Sequence, residues 1–447
     1  MEAFRYYLQK LEERKQLRCF SSPISVRYET AAVMQKLEKE RGPAARFTNI
    51  PPFKEWCLVG NLYAALDRLA FGLNLPHGAA FKPALLEKCS QLTTASARGA
   101  VSTHLITNAP IQENVHHKNI DLPSLLPGPI HCAHDSGPFI NAGIVMAKDP
   151  VSRKGGMQVI MIEVKQGNRL ILSPVTPPID AYYEQAETMN QPLEVAIVIG
   201  AEPALMFAAC SPPLLSKGDK LGLAEVLRGS PIPLVSCETI DLKVPAGAEV
   251  VLEGAIIPRE REKMGPWGNY LKSYSSYNQK PVMEVTCVRH RTNPIYQDIL
   301  AHGRETTILV ALPTEIILYQ ELTASFPHVQ DVHITLDSCG LQALISLRQA
   351  DEYNFQEMIE FVLSRFLLKS VILVDTDIDI YDPADVAWAL STRVQASKDF
   401  IMLSGMPALP LDPSTTEGKT DKWAFNATRE PISGPEKFQK ADLPQEV

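Results

Sequence analysis

Apolar residues recur at helical spacing near the start of the chain, at Phe4, Tyr7, Leu8 and Leu11, and predict an amphipathic helix over 4–17. A turn at Ser21-Ser22-Pro23 separates it from a second helical stretch, 28–41, which stops at Gly42-Pro43. A third helix is predicted over 59–73, ahead of Asn74-Leu75-Pro76. These elements describe a small N-terminal α/β unit. From about residue 105 the period shortens. β-Prone runs at 138–147, 157–164, 169–173, 194–199, 232–237, 240–244, 249–256 and 282–288 alternate with Pro, Gly and Asp turns. That density of short strands predicts a β-barrel or sandwich in the middle of the chain, interrupted by helices at 179–188 and 201–209. Beyond about 305 helix and strand alternate: 307–312 as strand, 314–324 as helix, 333–336 and 341–347 as strands, 351–367 as helix and 371–375 as strand. This is the pattern of βαβ units on a parallel sheet. The polar, proline-rich tail after 412 is expected to drape over another surface.

Composition narrows the class without naming a function. The 447 residues are 45% hydrophobic and 21% charged, the balance of a globular protein of two or three domains. Acidic residues outnumber basic ones, 51 to 43, and no basic stripe is interleaved with aromatics, so a nucleic-acid partner is not expected. The 35 prolines are spread along the chain and read as many rigid turns. None of the eight cysteines forms a CxxC pair and the nearest two are 27 residues apart, which is neither a zinc spacing nor a small disulfide scaffold. The charged start, MEAFRYYLQKLEERKQ, has no apolar signal core, and no run of 18 apolar residues occurs. A reduced, cytoplasmic protein without a membrane partner is therefore expected.

The usual catalytic signatures are missing: there is no GxSxG elbow, P-loop, GxGxxG or HExxH. Three stretches stand out. His131-Cys132-Ala133-His134-Asp135 gathers ligand-type residues between Pro129 and Gly137, but a metal would need further donors from elsewhere. Lys263-Met264-Gly265-Pro266-Trp267-Gly268-Asn269-Tyr270 implies a tight turn holding an aromatic beside a strand end, as a structural turn or as a loop lining a pocket. His302-Gly303-Arg304-Glu305 follows an apolar run and reads equally as a site corner or as an exposed ion-paired one.

Several segments, in order, resemble the UbiD family of decarboxylases, which includes ferulic acid decarboxylase. They are 131–150, 227–245 (Leu-Arg-Gly-Ser-Pro-Ile-Pro-Leu-Val-Ser-Cys-Glu-Thr-Ile-Asp-Leu-Lys-Val-Pro), 249–254, Gly265-Pro266-Trp267-Gly268, Gly303-Arg304, 391–395 and 411–414. The resemblance runs from the first helix to about Thr428. It implies an α+β / α/β architecture of UbiD type: an N-terminal α/β domain (1–108), a central split β-barrel of the flavin-binding kind (109–304) and a C-terminal α/β oligomerisation domain with a tail (305–447). It also implies decarboxylation of unsaturated or aromatic acids on prenylated FMN, with a divalent metal and potassium at the cofactor phosphate.

The functional residues of the family do not carry over at the aligned positions. Where the family reads Glu-Gly-Pro-Phe-Gly-Glu, this chain has Met264 and Asn269 in place of the two carboxylates. The arginine position aligns with Met161, and the metal-binding positions with Gly156, Ile179 and Pro233. Such side chains offer a divalent cation no donor, and losing a whole Glu–Arg–Glu network leaves no stranded charge, as in a cavity rebuilt to be apolar. From this we expect no tightly bound cofactor or metal, and a carboxy-lyase for a small unsaturated, aromatic or β-keto acid working without prenylated FMN. A cyclase or isomerase in the same pocket, and a pseudoenzyme partner of an active homologue, are the alternatives. Candidate catalytic groups are Asn269, Glu163, His134, His302 and Arg304. Glu163 shares a strand face with Met161. Met161, Met264, Trp267 and Ile179 are the expected pocket walls. Partners are expected to be a small-molecule substrate and further copies of the chain, as a homodimer or a multiple of one.

Overall fold

The structure, a computed structural model, describes residues 3–97, 104–173, 178–348, 354–429, 438 and 440. It divides into two compact units, Met1–Pro313 and Thr314–Val447.

In the first unit, helices Ala3–Glu13 and Glu29–Lys39 appear where the period predicts them. The first is shorter than its pattern, because Lys15 turns into the left-handed region and the chain continues as strand Leu17–Phe20. The predicted helix over 59–73 is corrected to a strand, Cys57–Gly60, followed by a short helix, Leu66–Gly72. All four residues of that strand are buried, and a short apolar run buried on every side carries no period to distinguish strand from helix. Strands Leu17–Phe20, Ala44–Phe47, Cys57–Gly60 and Ile295–Gln297 form one four-stranded sheet, in that order.

The central segment is a nine-stranded antiparallel sheet. Its path runs Phe139–Ile140, Met161–Val164, Arg169–Ser173, Tyr274–His290, Val250–Gly268, Leu193–Ile199, Ile144–Lys148 and Gly155–Val159, with Asn114–His116 added beside Tyr274–His290. Among the described residues the path does not close on itself. Val250–Gly268 and Tyr274–His290 are far longer than their apolar runs, and β-bulges at Glu253/Gly254 and between Ile256 and Trp267 bend the pair. The stretch around Gly265-Pro266-Trp267-Gly268, read from sequence as a turn, is thus the bulged end of a strand. The sheet packs its apolar face around Ile162, Leu172, Val195, Ile197, Leu252, Met283 and Val285, each at most 5% exposed. Burying one such side chain stabilises the fold by roughly 1.5–3 kcal/mol.

The strand predicted over 307–312 is also corrected. Those residues are the first turns of one helix, Arg304–Ser325, with Pro313 inside it. Ile308, Leu309, Ala311 and Leu312 are all buried, so again the run has no polar side to reveal its period.

The second unit is a five-stranded sheet ordered Val329–Ile334, Gln342–Leu347, Ser370–Asp375, Lys419–Ala427, Phe400–Pro407. Its three inner strands are parallel and both edges antiparallel. The described part of the predicted 351–367 helix is Phe355–Arg365; 351–353 lie outside the described residues. The tail does not merely drape: Lys419–Ala427 enters the sheet, its Trp423, Phe425 and Ala427 pairing along Ser370–Asp375. Among the described residues no helix is long and apolar enough to cross a membrane.

Candidate active site

Two of the sequence stretches singled out above meet in space. Segment 131–141 lies against the bulged end of Val250–Gly268, and between them is a narrow, part-open cleft lined by Pro129, His131, Asp135, Phe139, Asn141, Trp267, Gly268 and Ala301. Asp135 joins the two walls. One carboxylate oxygen accepts the backbone N–H groups of His131 and Cys132, and the other accepts that of Gly268 at 2.8 Å. A second strut is Glu163, 1% exposed, whose Oε1 accepts Ser136 Oγ and Lys165 Nζ and whose Oε2 accepts Gly265 N–H at 2.9 Å. Ser136 N–H also donates to the Pro266 carbonyl. Glycine is required twice here. Gly265 has φ near +80°, and a Cβ on Gly268 would stand 2.5 Å from Cys132 Sγ. Trp267 is wedged between Phe139 and Tyr277, at centroid separations of 6.1 and 5.4 Å, and so forms a rigid wall.

His131 opens on this cleft with a buried carboxylate behind it. Its Nε2 lies 2.8 Å from Asp298 Oδ2, the two side chains being 2% and 0% exposed. Burial pulls the imidazole down, but the charge and hydrogen bond of Asp298, with Asp135 beyond, outweigh it and hold His131 above its ordinary pKa. Its Nδ1 faces the Asn141 amide nitrogen at 3.3 Å, and Asn141 Oδ1 is buried with no hydrogen-bond partner.

The other candidates fall around this centre in different ways. Asn269 is 1% exposed, and its amide is occupied within its own turn: Nδ2 donates to Ser273 Oγ and Ser275 Oγ, and Oδ1 accepts Leu271 N–H. His302 contacts Cys132 Sγ at 3.4 Å and Gln35 at 3.3 Å. Burial and then the charge of His131 hold it below its usual value. Burial, reinforced by Asp135, pushes the Cys132 thiol up to about 11. His134 is exposed and edge-on to Tyr274. Met264 and Ile179 are fully buried, whereas Met161 is half-buried and pairs with Ser173. Among the described residues no group of three His, Cys, Asp or Glu side chains is placed to hold a metal ion.

Arg304 opens the helix Arg304–Ser325 and meets Glu38 through its backbone, but the perturbed residue is its neighbour. Glu305 is fully buried, accepts Tyr63 N–H, and burial pushes its carboxyl up to about 8. A raised carboxyl pKa means that the folded state prefers the neutral acid. Its stabilising contribution is complete below the ordinary value of 4.5 and is lost as pH rises towards about 8. Glu305→Gln keeps an acceptor for Tyr63 and cannot ionise. Wild type should therefore lose stability relative to this variant between about pH 5 and about pH 8, by at most ~1.4 kcal/mol per pH unit. Chemical denaturation of both proteins at the two pH values measures it, and an unchanged gap would refute it.

Known proteins share the sequence pattern and the fold. Three family profiles match: the 3-octaprenyl-4-hydroxybenzoate carboxy-lyase N-terminal domain over 8–84, its Rift-related domain over 104–305 and its C-terminal domain over 307–427. The chain is 32% identical over 313 residues to anhydromevalonate phosphate decarboxylase of Methanothermobacter thermautotrophicus, covering 69% of this chain and 73% of that protein. It is 30% identical over 463 residues to phenolic acid decarboxylase of Sedimentibacter hydroxybenzoicus, covering 98% and 94%. Its fold superposes on the UbiD-class enzyme HmfF of Pelotomaculum thermopropionicum in complex with FMN, with TM-score 0.91, 32% identity and coverage of 99% and 97%. An evolved dimeric form of that enzyme with prFMN superposes with TM-score 0.87 at 30% identity, with the same coverage. The expectation of a chain that binds no cofactor tightly and works without one is overturned by these flavin-bound neighbours. The substitutions behind that expectation concern a few aligned positions, whereas the relatives share nearly the whole fold around their flavin.

Proposed function

Because the chain belongs to the UbiD family of carboxy-lyases, we propose that it removes CO2 from a planar unsaturated or aromatic acid in the cleft between 131–141 and 264–268, on a bound flavin of the FMN type. The observation that carries this reading is the buried His131–Asp298 pair opening on that cleft. The lining offers groups that a flat ring system could use: Phe139 and Trp267 are aromatic walls, and Asn141 Oδ1, without a hydrogen-bond partner among the described residues, is a buried acceptor for a ring N–H. When bound, a flavin supplies an electron-accepting ring that can hold the charge left by departing CO2.

The chain's own residues supply the proton. The bond between the carboxylate carbon and the unsaturated carbon breaks, CO2 leaves, and the electron pair left behind must be protonated. His131, whose protonated form Asp298 favours, delivers a proton from Nδ1 and is recharged from solvent. Asp298, 2.8 Å from Nε2, compensates the imidazolium. Asn141 holds the neutral ring through Nδ1 once the proton has gone. Asp135 and Glu163 are positioning residues: they clamp the two walls so that the cleft keeps its shape while the charge moves. His134, His302 and Arg304 remain candidates for contacts at the cleft mouth, and the division at 108/109 and 304/305 remains part of this proposal. We further propose assembly of the chain as a dimer or a multiple of one; light scattering giving the mass of a single chain at micromolar concentration would remove that part.

The test is to express the chain alone and with a flavin prenyltransferase, record the visible spectrum, and measure CO2 release from a panel of cinnamic, hydroxybenzoic and furoic acids. A flavin spectrum with CO2 release from a planar acid is the expected result. A flavin-loaded protein that releases no CO2 and exchanges no product hydrogen with deuterated solvent would overturn it.

A further inference from the structure

A second pair of imidazoles, outside the cleft, has no part in the chemistry above. His116 closes the short strand Asn114–His116, and His290 ends the long strand Tyr274–His290; the two strands pair antiparallel, with His116 opposite Val288 and His290 opposite Asn114. The rings stack at a centroid separation of 5.2 Å, and their Nε2 atoms face each other at 3.1 Å. His290 is fixed from behind. Its Nδ1 lies 2.9 Å from the Arg291 carbonyl, so that nitrogen carries the hydrogen and Nε2 presents a lone pair. Trp56 packs against the same ring at 5.5 Å. Both histidines are half-buried and reachable from solvent.

Two imidazole nitrogens on one tetrahedral cation, each at ~2.0–2.1 Å, stand ~3.3–3.4 Å apart. The observed 3.1 Å needs only a few tenths of an ångström of adjustment to reach that value. We propose that His116 and His290 form a two-imidazole chelate for a divalent cation that prefers nitrogen donors (Zn²⁺, Ni²⁺ or Cu²⁺), with water in the remaining positions. The described residues supply no third His, Cys, Asp or Glu, so the site is open on its outer side. It uses none of the three positions to which the family resemblance assigns metal donors. Its effect is to pin the strand Asn114–His116 to the long hairpin at two points in place of one shared proton.

Trp56 makes the site readable. Ni²⁺ alone, titrated into the tag-free full chain, should quench tryptophan fluorescence saturably, because the cation would sit beside the ring that packs against Trp56. His116→Phe keeps a stacking ring and removes one ligand. It should weaken the Ni²⁺ midpoint by more than the ~10-fold that losing an outer-shell partner costs. Zn²⁺, which does not quench, should raise the melting temperature of wild type and not of His116→Phe. Absence of saturable quenching in folded wild type, or the same midpoint in His116→Phe, would leave only an imidazole–imidazole hydrogen bond and overturn the proposal.

Discussion

His131→Gln is expected to lower CO2 release by about 10²- to 10⁴-fold, the range for removing a positioned general acid, while the flavin spectrum is kept. Glutamine retains a hydrogen bond to Asp298 but has no proton to give at neutral pH. The pH profile distinguishes this role from a structural one. A donor must be protonated to act, so turnover falls as pH rises through the His131 pKa. Because Asp298 holds that value above the ordinary one, the falling limb of wild type should lie at higher pH than that of an ordinary histidine. Asp298→Asn removes the compensating charge, and burial then dominates. Its falling limb should move to lower pH, with reduced turnover. The rate of product hydrogen exchange with deuterated solvent should fall in step with turnover in both variants. Turnover in His131→Gln equal to wild type, with flavin bound, would show that the proton comes from elsewhere.

The largest effect on stability is expected at Glu253→Ala. Glu253 and Arg289 sit on neighbouring long strands with both side chains 0% exposed, Oε1 lying 2.8 Å from Nη2. Oε2 of Glu253 also accepts the backbone N–H groups of Glu238 and Thr239 and the Thr239 hydroxyl. Alanine would take from the buried guanidinium of Arg289 its nearest carboxylate, leaving it the Ser236 carbonyl and Glu238 at 3.8 Å, and would leave two backbone donors without their acceptor. Breaking a buried pair from one side costs about 3–5 kcal/mol, enough to remove much of the stability of an ordinary domain. Urea unfolding followed by fluorescence would measure it. A loss within the ~0.5 kcal/mol of an ordinary surface change would mean that the pair contributes nothing. Changing both residues together to a well-packed apolar pair should cost far less than either single change.

Much of this protein is legible in its residues one stretch at a time. Helices Glu29–Lys39, Ile179–Thr188 and Pro203–Cys210 lie within two residues of where their patterns place them, because each has a wet and a dry side or a clear stop signal. The strands of the central sheet follow from short β-prone runs between turn residues. The family follows from many separate matches in a fixed order. The two stretches that form the cleft, 131–135 and 263–270, stand out by their residue types alone. Tertiary structure decides the rest. Cys57–Gly60 is buried on every side and 307–312 is apolar even at its exposed Val310, so no periodicity separates strand from helix there, and only their neighbours do. Asn269 is prominent in the sequence because it replaces a family carboxylate, yet the fold turns its amide into its own loop. Asp298 carries no local signal at all. It becomes the partner of His131 only when residues 167 positions apart are brought together, and Glu163 reaches Gly265 across 102. Local pattern records which side of each segment is apolar. The charge beside a histidine, and hence whether it holds a proton, is a property of distance in the folded chain, and the cost of burying an unpaired charge is what holds such partners together.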